Sequence, residues 1–172
     1  RIPALENATT SNLNSNVLAE AINKTIFATG NDEMRPVMSG VYCQFSDKDV
    51  IFVATDAHKL VRYKRTDAKA DRMVSYILPK KPLNQLRSLL SSIDTDVAIQ
   101  YNDTNAMFSF GAITLICRLV DGKYPNYEAV IPAENPNKLT VERQSLLLAL
   151  KRVSVMASHS TYQVRFSVSG RE

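Results

Sequence analysis

From Val97 to Leu119 the chain alternates between apolar and less apolar residues. Val97, Ile99 and Tyr101 are separated by Ala98 and Gln100, and Asn102-Asp103-Thr104-Asn105 supplies a turn. Ala106, Phe108 and Phe110 resume the apolar phase, and beyond Gly111 the residues Ile113, Leu115, Cys117 and Leu119 alternate with Thr114, Ile116 and Arg118. A side-chain period of two between turn residues predicts antiparallel strands with one buried face. Val41-Cys43-Phe45, Val74-Tyr76-Leu78 and Tyr162-Val164-Phe166-Val168 follow the same rule.

Three stretches carry helical spacing instead. From about Asn16 to Ala28, Leu18, Ala21, Ile22 and Ile26 share one side and Glu20, Asn23 and Lys24 the other, with Gly30 as a stop signal. A second helix is expected from Pro82, a good first helical residue, with Leu83, Leu86 and Leu90 inward. Gln85, Arg87 and Ser88 lie on its polar face, and Lys80 and Lys81 just precede it. In the third, Leu146, Ala149, Leu150 and Val153 line up and leave Lys151 and Arg152 outside. A strand candidate precedes each helix, at Ile2 to Leu5, Met73 to Leu78 and Leu139 to Val141. The unit of strand, helix and antiparallel strands therefore starts three times. Two complete copies predict an α+β domain over residues 1–132, with helices on one side of a curved, shared antiparallel sheet. Residues 133–137 read as a linker, and residues 138–172 as the start of another domain, ending at Ser169-Gly170-Arg171-Glu172 in the turn after its first return strand. The missing initiator Met suggests a segment of a longer chain.

Composition narrows the class. With 45% hydrophobic and 22% charged residues, the chain suits a globular protein rather than a disordered one. No apolar run has the length of a membrane span, and no signal or transit segment is recognisable. Cys43 and Cys117 sit in alternating apolar runs, without CxxC spacing and with only His58 and His159 as further soft ligands. That pattern suggests two buried thiols in a cytoplasmic protein, no metal site and no cofactor. Three Asn-x-Thr matches, at Asn7, Asn23 and Asn102, are read as chance in an Asn-rich chain. The net charge of +4 equals that of the window from Lys59 to Arg72, where Lys59, Arg62, Lys64, Arg65, Lys69 and Arg72 face only Asp67 and Asp71. Such a window can attract phosphate, but is more often a solvated strand end and loop.

Two longer segments are more specific. One is Ala54-Thr55-Asp56-Ala57-His58-Lys59-Leu60; the other runs from Leu119-Val120-Asp121-Gly122-Lys123-Tyr124-Pro125-Asn126-Tyr127 through Val130-Ile131-Pro132. Together, and with Met38-Ser39-Gly40 expected in the strand upstream, they resemble the signature segments in the middle domain of the bacterial DNA polymerase III beta subunit, the sliding clamp family. The resemblance covers essentially the whole chain. It implies a homodimeric ring of three-domain chains around duplex DNA, helices lining the hole and sheets forming the wall, with a monomer as one state open to the fragment itself. It implies a DNA replication processivity factor in the bacterial cytoplasm, nucleoid-associated. Such a factor is an accessory subunit of a DNA-directed DNA polymerase, a nucleotidyltransferase, and has no catalysis of its own.

The resemblance also implies two surfaces. A pocket for short linear motifs of replicative polymerase, clamp-loader and repair proteins would use Met38, Thr55, Ala57, His58, Lys59, Leu60, Pro125 and Val130. Sequence-independent contact with double-stranded DNA would use Lys24, Lys80, Lys81, Gln85, Arg87, Lys151 and Arg152, with Asn23 on the same helix face. The chain departs from the family pattern at Ala57 (commonly Gly), Lys59 (commonly Arg), Ala129 (frequently basic) and Arg35-Pro36-Val37, where aromatic residues that touch single-stranded DNA are often found.

Two other readings compete. A hydrolase could recruit Asp56 and His58, but nothing in the sequence positions a nucleophile or an oxyanion hole, and no GxSxG or P-loop is present. A small RRM-like RNA-binding domain would share strand-helix-strand order. It would, however, expose aromatics in a basic-Gly-aromatic motif, whereas Phe45, Phe108 and Phe110 fall on the inward phase.

Overall fold

A computed structural model describes residues 5–168. Strand β1 (Thr9–Asn14) runs without a gap into helix α1 (Ser15–Thr25), which a 3-10 turn at Ile26–Ala28 extends. After a second 3-10 turn at Pro36–Ser39 come β2 (Gly40–Phe45), β3 (Val50–Thr55) and β4 (Leu60–Arg65). The pattern then repeats: β5 (Val74–Pro79) leads directly into α2 (Lys80–Leu90), followed by β6 (Asp96–Tyr101), β7 (Asn105–Phe110) and β8 (Ile113–Arg118). Pairing is antiparallel throughout, in the orders β1-β6-β7-β8 and β5-β2-β3-β4. Each repeat thus lends its first strand to the other's sheet. There are two four-stranded sheets rather than the single shared sheet expected, because an 11-residue helix between the first and second strands of a repeat prevents them from closing as a hairpin.

Local chemistry sets these boundaries. Asn14 caps α1, its side chain accepting from the Asn16 N–H at 2.9 Å. The buried Ser15 hydroxyl donates to the Ile93 carbonyl and accepts from the Thr95 N–H, pinning the start of α1 to the turn before β6. Asn102 accepts from the N–H groups of Thr104 and Asn105, forming the β6–β7 turn. Gly111, at φ +54°, occupies the first position of the two-residue β7–β8 turn, where a left-handed residue is required. Leu18, Ala21, Ile22 and Ile26 of the first helix and Leu83, Leu86 and Leu90 of the second are buried with Phe45, Phe52, Ile99 and Phe108 in one core between helices and sheets. Every residue of β3 is buried, because its sheet is covered on both faces. The outer cover is a second cluster of Ile51, Val53, Ile77, Tyr124 and Tyr127, with Val37, Tyr42, Leu60 and Val120 packed against it.

The chain divides into two compact units, Arg1–Val130 and Ile131–Glu172. The second contains α3 (Arg143–Ser154), capped by the Glu142 carboxylate, which accepts from the N–H groups of Gln144 and Ser145. None of its described residues is buried: Leu146, Ala149 and Leu150 are half-covered and Val153 is exposed.

Several expectations are corrected. The strand before α1 is Thr9–Asn14; Leu5 lies in no strand, and Ile2, Pro3 and Ala4 lie outside the described residues. Helix α2 begins at Lys80 rather than Pro82, so both lysines belong to its first turn. Met38 and Ser39 form a 3-10 turn, and only Gly40 enters the strand. In β8 the alternation fades, with Ile113 exposed and Leu115 and Ile116 both half-buried, since this edge strand lies partly outside the core. Leu139–Val141 and Tyr162–Val168 form no strand, because no described segment lies alongside to complete a ladder. Ser169-Gly170-Arg171-Glu172 lie outside the described residues.

Candidate peptide-binding and nucleic-acid surfaces

The Ala54–Leu60 segment is the end of β3, a tight connection and the start of β4, with Thr55 paired opposite Leu60. Its polar side chains are spent on the turn. The Thr55 hydroxyl donates to the Lys59 carbonyl at 2.7 Å and accepts from the Ala57 N–H. One Asp56 oxygen accepts from the N–H groups of His58 (3.0 Å) and Lys59 (2.9 Å), and the other binds the Lys59 ammonium. The Lys59 side chain, together with these two N–H donors, holds the Asp56 carboxyl well below the usual carboxylate range. This carboxylate engages the main chain of His58 and not its imidazole, as a turn-forming residue does rather than the orienting acid of a catalytic triad. Ala57 pays for the tightness with a φ of +74°.

The Leu119–Val130 segment leaves β8 and crosses the outer face of the β5-β2-β3-β4 sheet. The Leu119 N–H donates to the Thr104 carbonyl and the Val120 N–H to the Ile77 carbonyl, carrying the chain from one sheet to the other. Tyr124 then stacks on Tyr42 of β2, and the Tyr127 hydroxyl donates to the Gln44 side chain at 2.6 Å. Leu60 packs into the same cluster as Tyr124 and Tyr127, so the two motif segments meet on one face.

The expected pocket residues are distributed as follows. Thr55 is buried in the turn; Met38, Leu60 and Pro125 are half-buried; Ala57, His58 and Lys59 are exposed at the hairpin tip; Val130 is 69% exposed. Met38 is linked to the region through its carbonyl, which accepts from the Gly30 N–H at 2.8 Å. Tyr42, Val37 and Val120 were not anticipated. Tyr42 lies on the phase of β2 opposite Val41, Cys43 and Phe45, and an outward tyrosine on a strand gives no sign of a strap lying over it.

Among the residues expected on DNA, the cation Lys24 lies exposed in the last turn of α1, and Lys81 and the neutral Gln85 are exposed on α2. Arg87 is half-buried, and the Lys80 ammonium donates to the Asn31 side chain in the loop after α1. The exposed Lys151 and Arg152 occupy the last turn of α3 in the second unit. None of these cations enters an ion pair among the described residues. In the Lys59–Arg72 window Lys59 is paired with Asp56, Lys64 with Asp49, and Arg65 with both Glu20 and Asp67, whereas Arg62, Lys69 and Arg72 enter no ion pair among the described residues. The three helices hold seven of the chain's 21 basic residues but one of its 17 acidic ones, Glu20, which Arg65 already neutralises. Phe45, Phe108 and Phe110 are buried, which removes the aromatic platform of an RRM-like surface.

Comparison with known proteins places this arrangement. Residues 12–126 match the family model of the DNA polymerase III beta subunit, central domain. The beta sliding clamp of Synechococcus elongatus is 29% identical over 171 residues, 97% of this chain and 46% of its own length. That of Staphylococcus epidermidis is 31% identical over 160 residues, 93% of this chain and 42% of its own. The chain spans a little under half the length of these relatives. Among solved structures, the sliding clamp of Bartonella birtlesii bound to griselimycin is similar with a TM-score of 0.83 at 33% identity, over 93% of this chain and 44% of that one. The Bacillus subtilis clamp is similar with a TM-score of 0.85 at 28% identity, over 92% and 42%. With its central-domain match and its doubled strand-helix-strands architecture, the chain belongs to the DNA polymerase III beta subunit family.

Proposed function

We propose that this chain is the middle portion of a DNA-encircling processivity clamp, an accessory polymerase subunit that acts by tethering and not by catalysis. Residues 1–132 would be the central domain, 133–137 a linker and 138–172 the start of the next domain. The whole protein would form a homodimeric ring in the bacterial cytoplasm, and would hold replicative polymerase, clamp loader and repair proteins through their short motifs. The observation that carries the DNA side of this reading is the charge imbalance of the helices, which hold seven basic residues, none in an ion pair among the described residues, against Glu20 alone. Lys80 and Lys81 lie in the first turn of α2, where the helix dipole disfavours cations by about 0.3–1 kcal/mol. A position unfavourable for the helix is favourable for phosphate, since lysines and free N–H groups then point the same way. Flexible lysines make loose, exchangeable contacts suited to sliding.

The motif pocket would lie where the two signature segments meet, with Leu60 and Pro125 as its apolar floor, Met38, Thr55 and Val130 around it, and Ala57, His58 and Lys59 at the rim. Fluorescence anisotropy with two labelled duplexes of unrelated sequence tests the DNA half. Equal affinities that fall steeply with added salt are expected. A marked sequence preference, or binding insensitive to salt, would overturn it.

A further inference from the structure

One feature of the first unit serves neither surface. Beside β5 lies a cleft of about 790 Å3, lined by Ser75 and Ile77 of that strand, by Tyr42 and Tyr101, and by the Glu6–Thr9, Asn102–Thr104 and Leu119–Tyr124 segments. The backbone of β5 is half-used here. In the β2–β5 ladder Cys43 pairs with Tyr76 and Phe45 with Val74. The Ser46 N–H bond to the Asp49 carbonyl closes the β2–β3 hairpin, and alternation from it turns the polar groups of Tyr42 and Gln44 toward β3 and those of Cys43 and Phe45 toward β5. Their partners Tyr76 and Val74 therefore bond to β2, while Ser75 and Ile77 direct N–H and C=O to the outer edge. The bond from the Val120 N–H to the Ile77 carbonyl agrees with this and occupies one of those groups. Among the described residues no backbone hydrogen bond engages either group of Ser75 or the N–H of Ile77; Ile77 is itself buried beside the strap, so the open edge within the cleft is centred on the exposed Ser75.

The charge around this edge opposes that of the chain. Glu6, Asp103 and Asp121 line the cleft against a single cation, Lys123, in a protein of net charge +4. All four are exposed, and none takes part in an ion pair among the described residues. An acidic cleft repels nucleic acid, and a strand edge satisfies main-chain groups. We propose that this cleft is a second docking site, in which an extended basic peptide adds as a strand to the free edge of β5 between the carboxylates of Glu6, Asp103 and Asp121. It is distinct from the Leu60–Pro125 surface, and its occupant differs in chemistry from the apolar motif proposed there.

A labelled peptide of alternating lysine and valine, titrated against the chain by fluorescence anisotropy, tests this. The net positive charge works against adventitious capture, so binding is expected only if the acidic cleft receives the peptide. Methylating the backbone nitrogens of the peptide should weaken binding at least tenfold, as should Asp103→Lys combined with Asp121→Lys, two exposed substitutions whose unfolding midpoint should match the parent's. An alternating glutamate-valine peptide should not bind. Hydrogen exchange on the unaltered chain supplies a readout independent of any variant: the Ser75 and Ile77 amides should gain protection when peptide is added. No binding by the parent, equal binding of the methylated peptide, or unchanged exchange at Ser75 and Ile77 would each overturn the proposal. Neither DNA nor a closed ring is involved, so such a failure would leave the clamp reading intact.

Discussion

The rings of Tyr42 and Tyr124 stack with centroids 4.6 Å apart and planes within 6° of parallel, joining the middle of β2 to a strap more than eighty residues later. The pair fastens the Leu119–Val130 segment over the outer face of the sheet. Tyr124→Ala should therefore cost about 3 kcal/mol in urea unfolding, from lost burial and lost stacking. Tyr124→Phe keeps the stack and removes a buried hydroxyl that has no hydrogen-bond partner among the described residues, so its unfolding free energy should match or slightly exceed the parent's. Burial pushes the Tyr124 hydroxyl up from 10.0 to about 12. A raised folded-state value contributes stability that is complete below pH 10 and is lost as pH rises toward 12. The alkaline decline in unfolding midpoint should accordingly be shallower in Tyr124→Phe than in the parent.

Ala57 offers a gain. Its φ of +74° places a β-carbon in the left-handed region, at a cost of about 1–2 kcal/mol that glycine does not incur. Glycine also loosens the unfolded chain by about 0.5–1 kcal/mol, so Ala57→Gly should stabilise by a net 0.5–1 kcal/mol or so. The urea midpoint should rise with an unchanged slope. A fall in midpoint would mean that the hairpin tip is not held left-handed.

How far the sequence anticipated this structure depends on what covers each strand. Helices α1 and α2 were legible because Leu18, Ile22, Leu83, Leu86 and Leu90 recur at helical spacing and all are buried. Strands β6 and β7 were legible because a single face is covered. Strand β1 was not, since Thr9–Asn14 contains one large apolar residue, Leu13, and owes its conformation to pairing with β6 across more than eighty residues. The exchange of first strands between repeats is equally non-local and leaves no mark in the period of either segment. At the site, the motif residues could be named in advance, but the part played by Tyr42 could not, because the strap that reaches it begins 77 residues further on, at Leu119. Tyr162–Val168 carries strand periodicity without strand structure, since alternation specifies a face and not a neighbour.

Val130 is the sharpest probe of the proposed motif pocket. Leu60 packs against the buried cluster that includes Tyr124 and Tyr127, so a charge there would disturb the fold as well as any bound peptide. Val130 is 69% exposed, and Val130→Asp should change stability by no more than about 0.5 kcal/mol. If Val130 borders the pocket, the variant should still lose at least tenfold in calorimetric affinity for a short peptide carrying a leucine-phenylalanine motif. Unchanged affinity would place the pocket elsewhere.

The last prediction separates two lysines that differ only in their surroundings. Lys64 on β4 is paired with Asp49 at 2.7 Å, and this contact also holds the Asp49 carboxyl below its ordinary value. Lys81 on α2 is exposed and free of ion pairs among the described residues. Replacing either with Gln removes the same unit of charge, so a purely long-range attraction between chain and DNA would be weakened equally by both. Direct phosphate contact would not be, because Lys64 is already neutralised and lies on a sheet, whereas Lys81 shares the helix terminus with Lys80. Lys81→Gln should lower the slope of log affinity against log salt by about 0.9, the value of one phosphate contact on duplex DNA. Lys64→Gln should leave the slope unchanged and cost less than about 1 kcal/mol of stability, as expected for an exposed pair. Anisotropy titrations at several salt concentrations decide between the two outcomes, and equal slopes for the two variants would remove the helices from the DNA interface.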